Sequence, residues 1–100
     1  MGFDGDTSEA RELLDIWCDT RSVDARDQLV AEHLPMVRRV CRRFGNLGEP
    51  LEDLIQIGTI GLLKAIHKYD PSRGNSLIAF AVPVIVGEVK NYFRDHGWAV

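Results

Sequence analysis

Phe80, Val84, Gly87, Asn91 and Arg94 recur at steps of four and three residues, with Lys90 beside them. A helix would carry them on one face. The residue types suggest a chemistry: an aromatic ring can stack on a base, and a glycine lets another backbone come close. An amide can read base edges, and cations meet phosphates. The same spacing also fits a helix whose Phe80 is core and whose polar residues are only solvated. A second row, Asp53, Gln56, Thr59, Ile60, Leu63 and His67, is polar at its start and apolar further on. Such a strip suits a protein interface, although partial burial against the first helix would account for Ile60 and Leu63 equally well. Arg38, Arg39, Arg42 and Arg43 form two i,i+4 pairs of like charge, either a solvated face or a contact to phosphate or an acidic partner.

Catalysis has no comparable set. His33, His67 and His96 are scattered, no HExxH or Gly-rich phosphate loop occurs, and the carboxylates cluster where helix starts explain them. The sequence therefore predicts no catalytic residue, metal site or cofactor. Cys18 and Cys41 lie far apart without a CxxC, which points to buried free thiols rather than zinc or redox chemistry.

Helices must position the two rows, and the punctuation of the sequence marks four. Thr7 or Ser8 can start the first, whose stripe is Ala10, Leu13, Leu14 and Trp17. Ser22 can cap the second, with Val30, Leu34, Val37, Cys41 and Phe44 as its predicted buried stripe and Pro35 as a kink. Gly45 to Gly48 ends it. Pro50 suits the first turn of the third, with Glu52 and Asp53 complementing the helix dipole. Its predicted inward face is Leu54, Gly58, Leu62, Ala65, Ile66 and Tyr69, where Gly58 and Gly61 imply a close neighbour, since glycine costs about 1 kcal/mol against alanine in a helix interior. After the Asp70-Pro71-Ser72-Arg73-Gly74 turn, Asn75 or Ser76 can cap the fourth, kinked or restarted at Pro83 and ending at His96-Gly97. Its predicted core stripe is Ile78, Val82, Ile85, Val89 and Tyr92.

With 45% apolar and 27% charged residues in 100, the chain has the composition of one globular domain, neither disordered nor membrane-embedded. The N-terminus is not a signal peptide and no apolar run reaches the roughly 18 residues of a membrane span, so a cytoplasmic protein is expected. The net charge of −3 is uneven: nine acids and three bases precede Pro35, and six acids and nine bases follow Leu34. An acidic front precedes a mildly basic body, which disfavours indiscriminate nucleic-acid binding.

From about Leu29 to Val100 the sequence resembles conserved region 2 of the sigma-70 family of bacterial RNA polymerase sigma factors. The resemblance rests on D-L-I-Q-I-G-T-I-G-L-L-K from Asp53 to Lys64, on Asp70-Pro71, and on A-V-P-V-I-V-G-E-V-K-N-Y-F-R-D-H-G-W from Ala81 to Trp98. It is strongest to the stress-response and sporulation branch of Gram-positive bacteria. It implies an all-α fold, a compact four-helix region 2 bundle with proline kinks, covering 29–100 behind an acidic segment, 1–28, with one short helix. It also implies that Asp53, Gln56, Thr59 and Leu63 dock on the beta-prime coiled-coil of the polymerase core. Phe80 would stack on a flipped adenine of the promoter's minus-ten non-template strand, with Val84, Gly87, Lys90, Asn91 and Arg94 on the same DNA-binding face. The implied function is promoter recognition and melting as a polymerase subunit; the alternative is a sigma-like module acting mainly through an anti-sigma factor. Pro83 and Val84 replace the paired tryptophans of housekeeping factors, which implies weaker melting. Leu77 to Ala79 reads L-I-A where relatives often carry F-S-T, so one aromatic contact is missing. The chain stops before the family's next basic segment, the expectation for an excised domain.

Overall fold

The computed structural model describes residues 8–95. They form four α-helices, α1 (Ser8–Thr20), α2 (Val23–Cys41), α3 (Leu51–Lys68) and α4 (Leu77–Asp95), with 3-10 turns at Arg42–Leu47 and Pro71–Arg73. The all-α class predicted from the sequence is the class observed. The chain packs as two units, one up to Met36 and one from Val37, so that α2 crosses the division.

In the first unit, α1 buries Ala10 and Trp17 and leaves Leu13 and Leu14 half-buried. It ends at Arg21, whose φ of 56° turns the chain and whose guanidinium lies 4.7 Å from the Trp17 ring centroid. That is a cation–π contact covering the helix end. Ser22 caps α2 as expected: its hydroxyl accepts from the Ala25 N–H at 3.3 Å.

The buried row of α2 differs from the predicted one. Leu34 is 38% exposed and Val30 half-buried, while Ala25, Leu29, His33 and Met36 are buried. The row that faces inward runs through a histidine. His33 satisfies one ring nitrogen locally, Nδ1 donating to the Leu29 carbonyl at 2.7 Å, and this lets an imidazole occupy a core position.

In the second unit, Val37, Val40 and Cys41 continue the buried row. The Cys41 thiol donates to the Leu54 carbonyl at 3.2 Å, and burial pushes its pKa up to about 11, which makes it unreactive at neutral pH. Cys41 and the half-buried Cys18 are both free thiols. Gly48, with φ of 92°, ends the first 3-10 turn. Pro50 then stands just before α3 rather than within its first turn, its carbonyl accepting from Asp53 and Leu54.

All six residues assigned to the inward face of α3 are buried. A Cβ on Gly58 would lie 2.8 Å from Cys41 Sγ and 2.9 Å from Val37 Cγ1; one on Gly61 would lie 2.9 Å from Ile85 Cα. These glycines let α2 and α4 approach α3 more closely than any side chain allows. Lys64 on α3 also reaches Glu88 on α4 at 3.0 and 3.1 Å, an ion pair open enough to water to contribute no more than about 1 kcal/mol.

The core row of α4 is Leu77, Ala81, Ile85, Val89 and Phe93, stepping by four residues throughout. Ile78, Val82 and Tyr92, predicted inside, are half-buried. The rotation follows from the two aromatics at its end. Phe93 packs against Phe44 with ring centroids 6.1 Å apart, whereas the Tyr92 hydroxyl needs a polar partner and donates to the Glu49 carboxylate at 3.0 Å. That hydrogen bond pushes the Tyr92 pKa up. Pro35 and Pro83 both sit inside helices that continue through them, so α4 does not restart at Pro83. The predicted end at His96-Gly97 lies outside the described residues.

Candidate nucleic-acid interface and docking strip

Ser76 starts α4, its hydroxyl accepting from the Ala79 N–H at 3.1 Å and its carbonyl from the Phe80 N–H at 3.1 Å. Phe80 therefore stands in the first turn, half-buried, with its ring 6.1 Å from that of Tyr69 and tilted 56° to it. It is neither core nor free surface. Its outer part faces a cleft of about 340 Å³ lined by Lys68, Tyr69, Asp70, Arg73, Asn75 and Phe80. That volume is at the lower end of the roughly 300–1,000 Å³ of small-molecule sites.

The turn before α4 shapes this cleft. Asp70 Oδ1 accepts from both the Ser72 N–H at 2.9 Å and the Ser72 hydroxyl at 2.7 Å, and these bonds hold its carboxyl below the usual carboxylate range. Gly74, at φ of 82°, closes the turn with its N–H on the Pro71 carbonyl. The Tyr69 hydroxyl donates to the Asn75 carbonyl, tying the end of the turn to α3. Aromatic rings, cations, a carboxylate and an amide thus share one concavity.

Beyond Phe80 the predicted row continues along α4. Val84 and Gly87 are half-buried, and Lys90, Asn91 and Arg94 are exposed. Arg94 Nη2 donates to Asn91 Oδ1 at 2.8 Å, a bond that uses the Asn91 oxygen and not its amide hydrogens. Among the described residues a Cβ on Gly87 would meet nothing within 4 Å, so no contact with them accounts for a glycine there. From Phe80 to Arg94 the row measures about 21 Å at 1.5 Å per residue, the length of roughly six nucleotides stacked at about 3.4 Å each.

The other row lies on a different face of α3. Asp53, Gln56 and His67 are exposed, and Thr59 and Leu63 half-buried. Thr59 donates its hydroxyl to the Ile55 carbonyl at 2.7 Å. Ile60 is 48% exposed, so this strip has an apolar centre open to a partner. Arg38, near its start, reaches Glu52 at 3.5 Å. Among the described residues no group of three or more His, Cys, Asp or Glu could hold a metal ion, and no helix is long and apolar enough to cross a membrane.

The sigma-70 region 2 profile matches residues 29–99. The chain belongs to the sigma-70 region 2 family. Both rows and the cleft fall inside the match to sigma region 2. The chain is 49% identical over 71 residues to an RNA polymerase sigma-F factor of Kitasatospora aureofaciens, covering 71% of the chain and 24% of that protein. It is 44% identical over 75 residues to the sigma factor SigF of Mycobacterium tuberculosis, covering 75% and 29%. With a sigma-G factor of Bacillus subtilis the identity is 41% over 88 residues, covering 88% and 34%. The chain thus spans about a quarter to a third of the length of these relatives. Their names agree with the alternative branch of the family expected from the sequence.

Sequence reasoning found Phe80 but missed its surroundings. The sequence places Tyr69 in the core, where it is indeed buried, Asp70 to Gly74 in a turn and Asn75 at a possible helix cap; yet all of these except Pro71, Ser72 and Gly74 line the cleft. The available signal was proximity: a residue in the first turn of a helix must neighbour the loop that leads into it.

Proposed function

We propose that this sigma region 2 chain docks on core RNA polymerase and captures a flipped adenine of the promoter's minus-ten non-template strand, as the promoter-opening part of an alternative sigma factor in the cytoplasm. The observation that carries the proposal is the cleft beside Phe80, where a half-buried ring edges a concavity containing Lys68 and Arg73. Stacking on such a ring is worth roughly 1–3 kcal/mol, comparable with the few kcal/mol needed to unstack a base. It can hold an opened base without driving extensive melting. Val84, Gly87, Lys90, Asn91 and Arg94 then contact the strand and the upstream edge of the element, while Asp53, Gln56, Thr59 and Leu63 meet the beta-prime coiled-coil. Chemistry on nucleotides belongs to the polymerase.

The test is binding of a labelled minus-ten non-template oligonucleotide to the chain with and without bacterial core polymerase. Core-dependent binding is expected, stronger to the single strand than to the duplex. Tight binding of the chain alone to duplexes of any sequence at physiological salt would contradict the reading, because its net charge of −3 leaves little non-specific affinity. Replacing both Lys90 and Arg94 by Ala should lower the slope of log affinity against log salt by about 1.4, at roughly 0.7 per phosphate for a single strand.

The exposed Ile60 favours a protein on the α3 strip, and an anti-sigma factor is the second reading for that partner. Failure of the folded chain to bind core polymerase, with capture of a purified anti-sigma factor instead, would favour it.

A further inference from the structure

The ion pair between α3 and α4 stands at the edge of the candidate nucleic-acid face. Glu88 is the one carboxylate on α4 before its last residue, Asp95. It follows Val84 by four residues and precedes Asn91 by three, the two spacings that make helix neighbours about 5–6 Å apart at Cβ. A negative charge therefore stands beside two members of the row that would carry a polyanion. Uncompensated, it would oppose the phosphates that Lys90 and Arg94 attract.

Lys64 meets that charge from the other helix. Its Nζ lies 3.0 Å from Glu88 Oε1 and 3.1 Å from Oε2, so one ammonium engages both oxygens. Gly61, three residues earlier on α3, makes room: a Cβ there would come within 3.2 Å of Glu88 Cβ. The stem of Glu88 thus packs where α3 has no side chain, and the side chain is 23% exposed against 53% for that of Lys64. Such a pair adds little to the fold, but a neutral pair and a bare carboxylate differ by one whole charge toward a strand. In water a unit charge about 8 Å from one phosphate changes affinity by roughly twofold, and from two by roughly fivefold. We infer that Lys64 acts through Glu88 as a positioning residue for promoter binding, holding and neutralising a carboxylate that would otherwise repel the strand midway along α4. This rests on α4 being the strand-binding face.

The experiment measures binding of a labelled minus-ten single strand to the chain on saturating bacterial core polymerase, at about 0.1 M salt, where charges act over about 10 Å. Lys64→Met keeps an apolar stem and should weaken binding by about two- to fivefold. Glu88→Gln should strengthen it by a similar factor, and the double variant should return to within about 1.5-fold of the wild-type chain. Both single effects should shrink as salt is raised. Opposite signs that cancel are the signature of neutralisation, because a purely structural link is broken equally by either substitution. Weaker binding by Glu88→Gln would therefore overturn the assignment, and so would a Glu88→Gln chain that binds as the wild type does. A double variant as weak as Lys64→Met would overturn it too, since Lys64 would then act without Glu88. Thermal melting of each variant checks that the fold is kept. Absence of strand binding by the wild-type complex would sink the proposed function itself, and the role of Lys64 with it.

Discussion

Gly61→Ala is expected to lower the melting temperature of this domain, and Gly87→Ala to raise it. Both substitutions gain about 1 kcal/mol of helix propensity, so their difference isolates packing. At Gly61 the new methyl would lie 2.9 Å from Ile85 Cα and 3.3 Å from the Val84 carbonyl oxygen, backbone atoms that cannot swing aside. At Gly87 it would meet nothing within 4 Å among the described residues. Overpacking costs typically about 1–3 kcal/mol, and a domain of this size shifts by roughly 4–8 °C per kcal/mol. The two variants should therefore differ by about 5–20 °C in thermal unfolding followed by circular dichroism. Equal shifts would contradict the close packing of α4 on α3. A glycine that weakens its helix and has no neighbour among the described residues is best explained by an external one. Gly87→Ala should accordingly bind the minus-ten strand less well although it is the more stable protein, and unchanged binding would remove Gly87 from the DNA face.

Phe80→Ala should weaken binding of the minus-ten strand by the chain and core polymerase by about 5- to 150-fold, the loss of one stacked base at roughly 1–3 kcal/mol. The ring is only half-buried and meets Tyr69 at a tilted 6.1 Å, so its removal should disturb the fold much less than the binding. Phe80→Tyr should retain most of the affinity, because the stacking surface remains. Titration of a fluorescent oligonucleotide, with melting curves beside it, separates the two effects. A loss below twofold, or one that tracks instability, would place the captured base elsewhere.

The third helix was legible because every inward residue from Leu54 to Tyr69 is apolar or glycine, and only one phase of the 3.6-residue repeat buries them all. The second helix was not, because its inward row passes through His33, a polar type that becomes a core residue once the Leu29 carbonyl takes its N–H. In the fourth, Tyr92 and Phe93 are adjacent and compete for the interior; the hydrogen bond of Tyr92 to Glu49, 43 residues away, decides which goes in. No local pattern encodes that choice. The two candidate rows were visible as spacing, since each lies on a single helix. The cleft was not, because it is assembled from the end of α3, a turn and the start of α4, and its shape depends on bonds such as that from Tyr69 to Asn75.

The most direct measurement is the affinity of this chain for bacterial core RNA polymerase, with the double variant Asp53→Ala plus Gln56→Ala as the comparison. Both side chains are exposed on α3, so the double variant should remain folded. Clear binding by the wild-type chain is expected, with an affinity lower by about tenfold or more in the double variant, the size of loss typical where an interface is truncated at residues that matter. A folded wild-type chain that does not bind, or a double variant that binds as tightly, would contradict it.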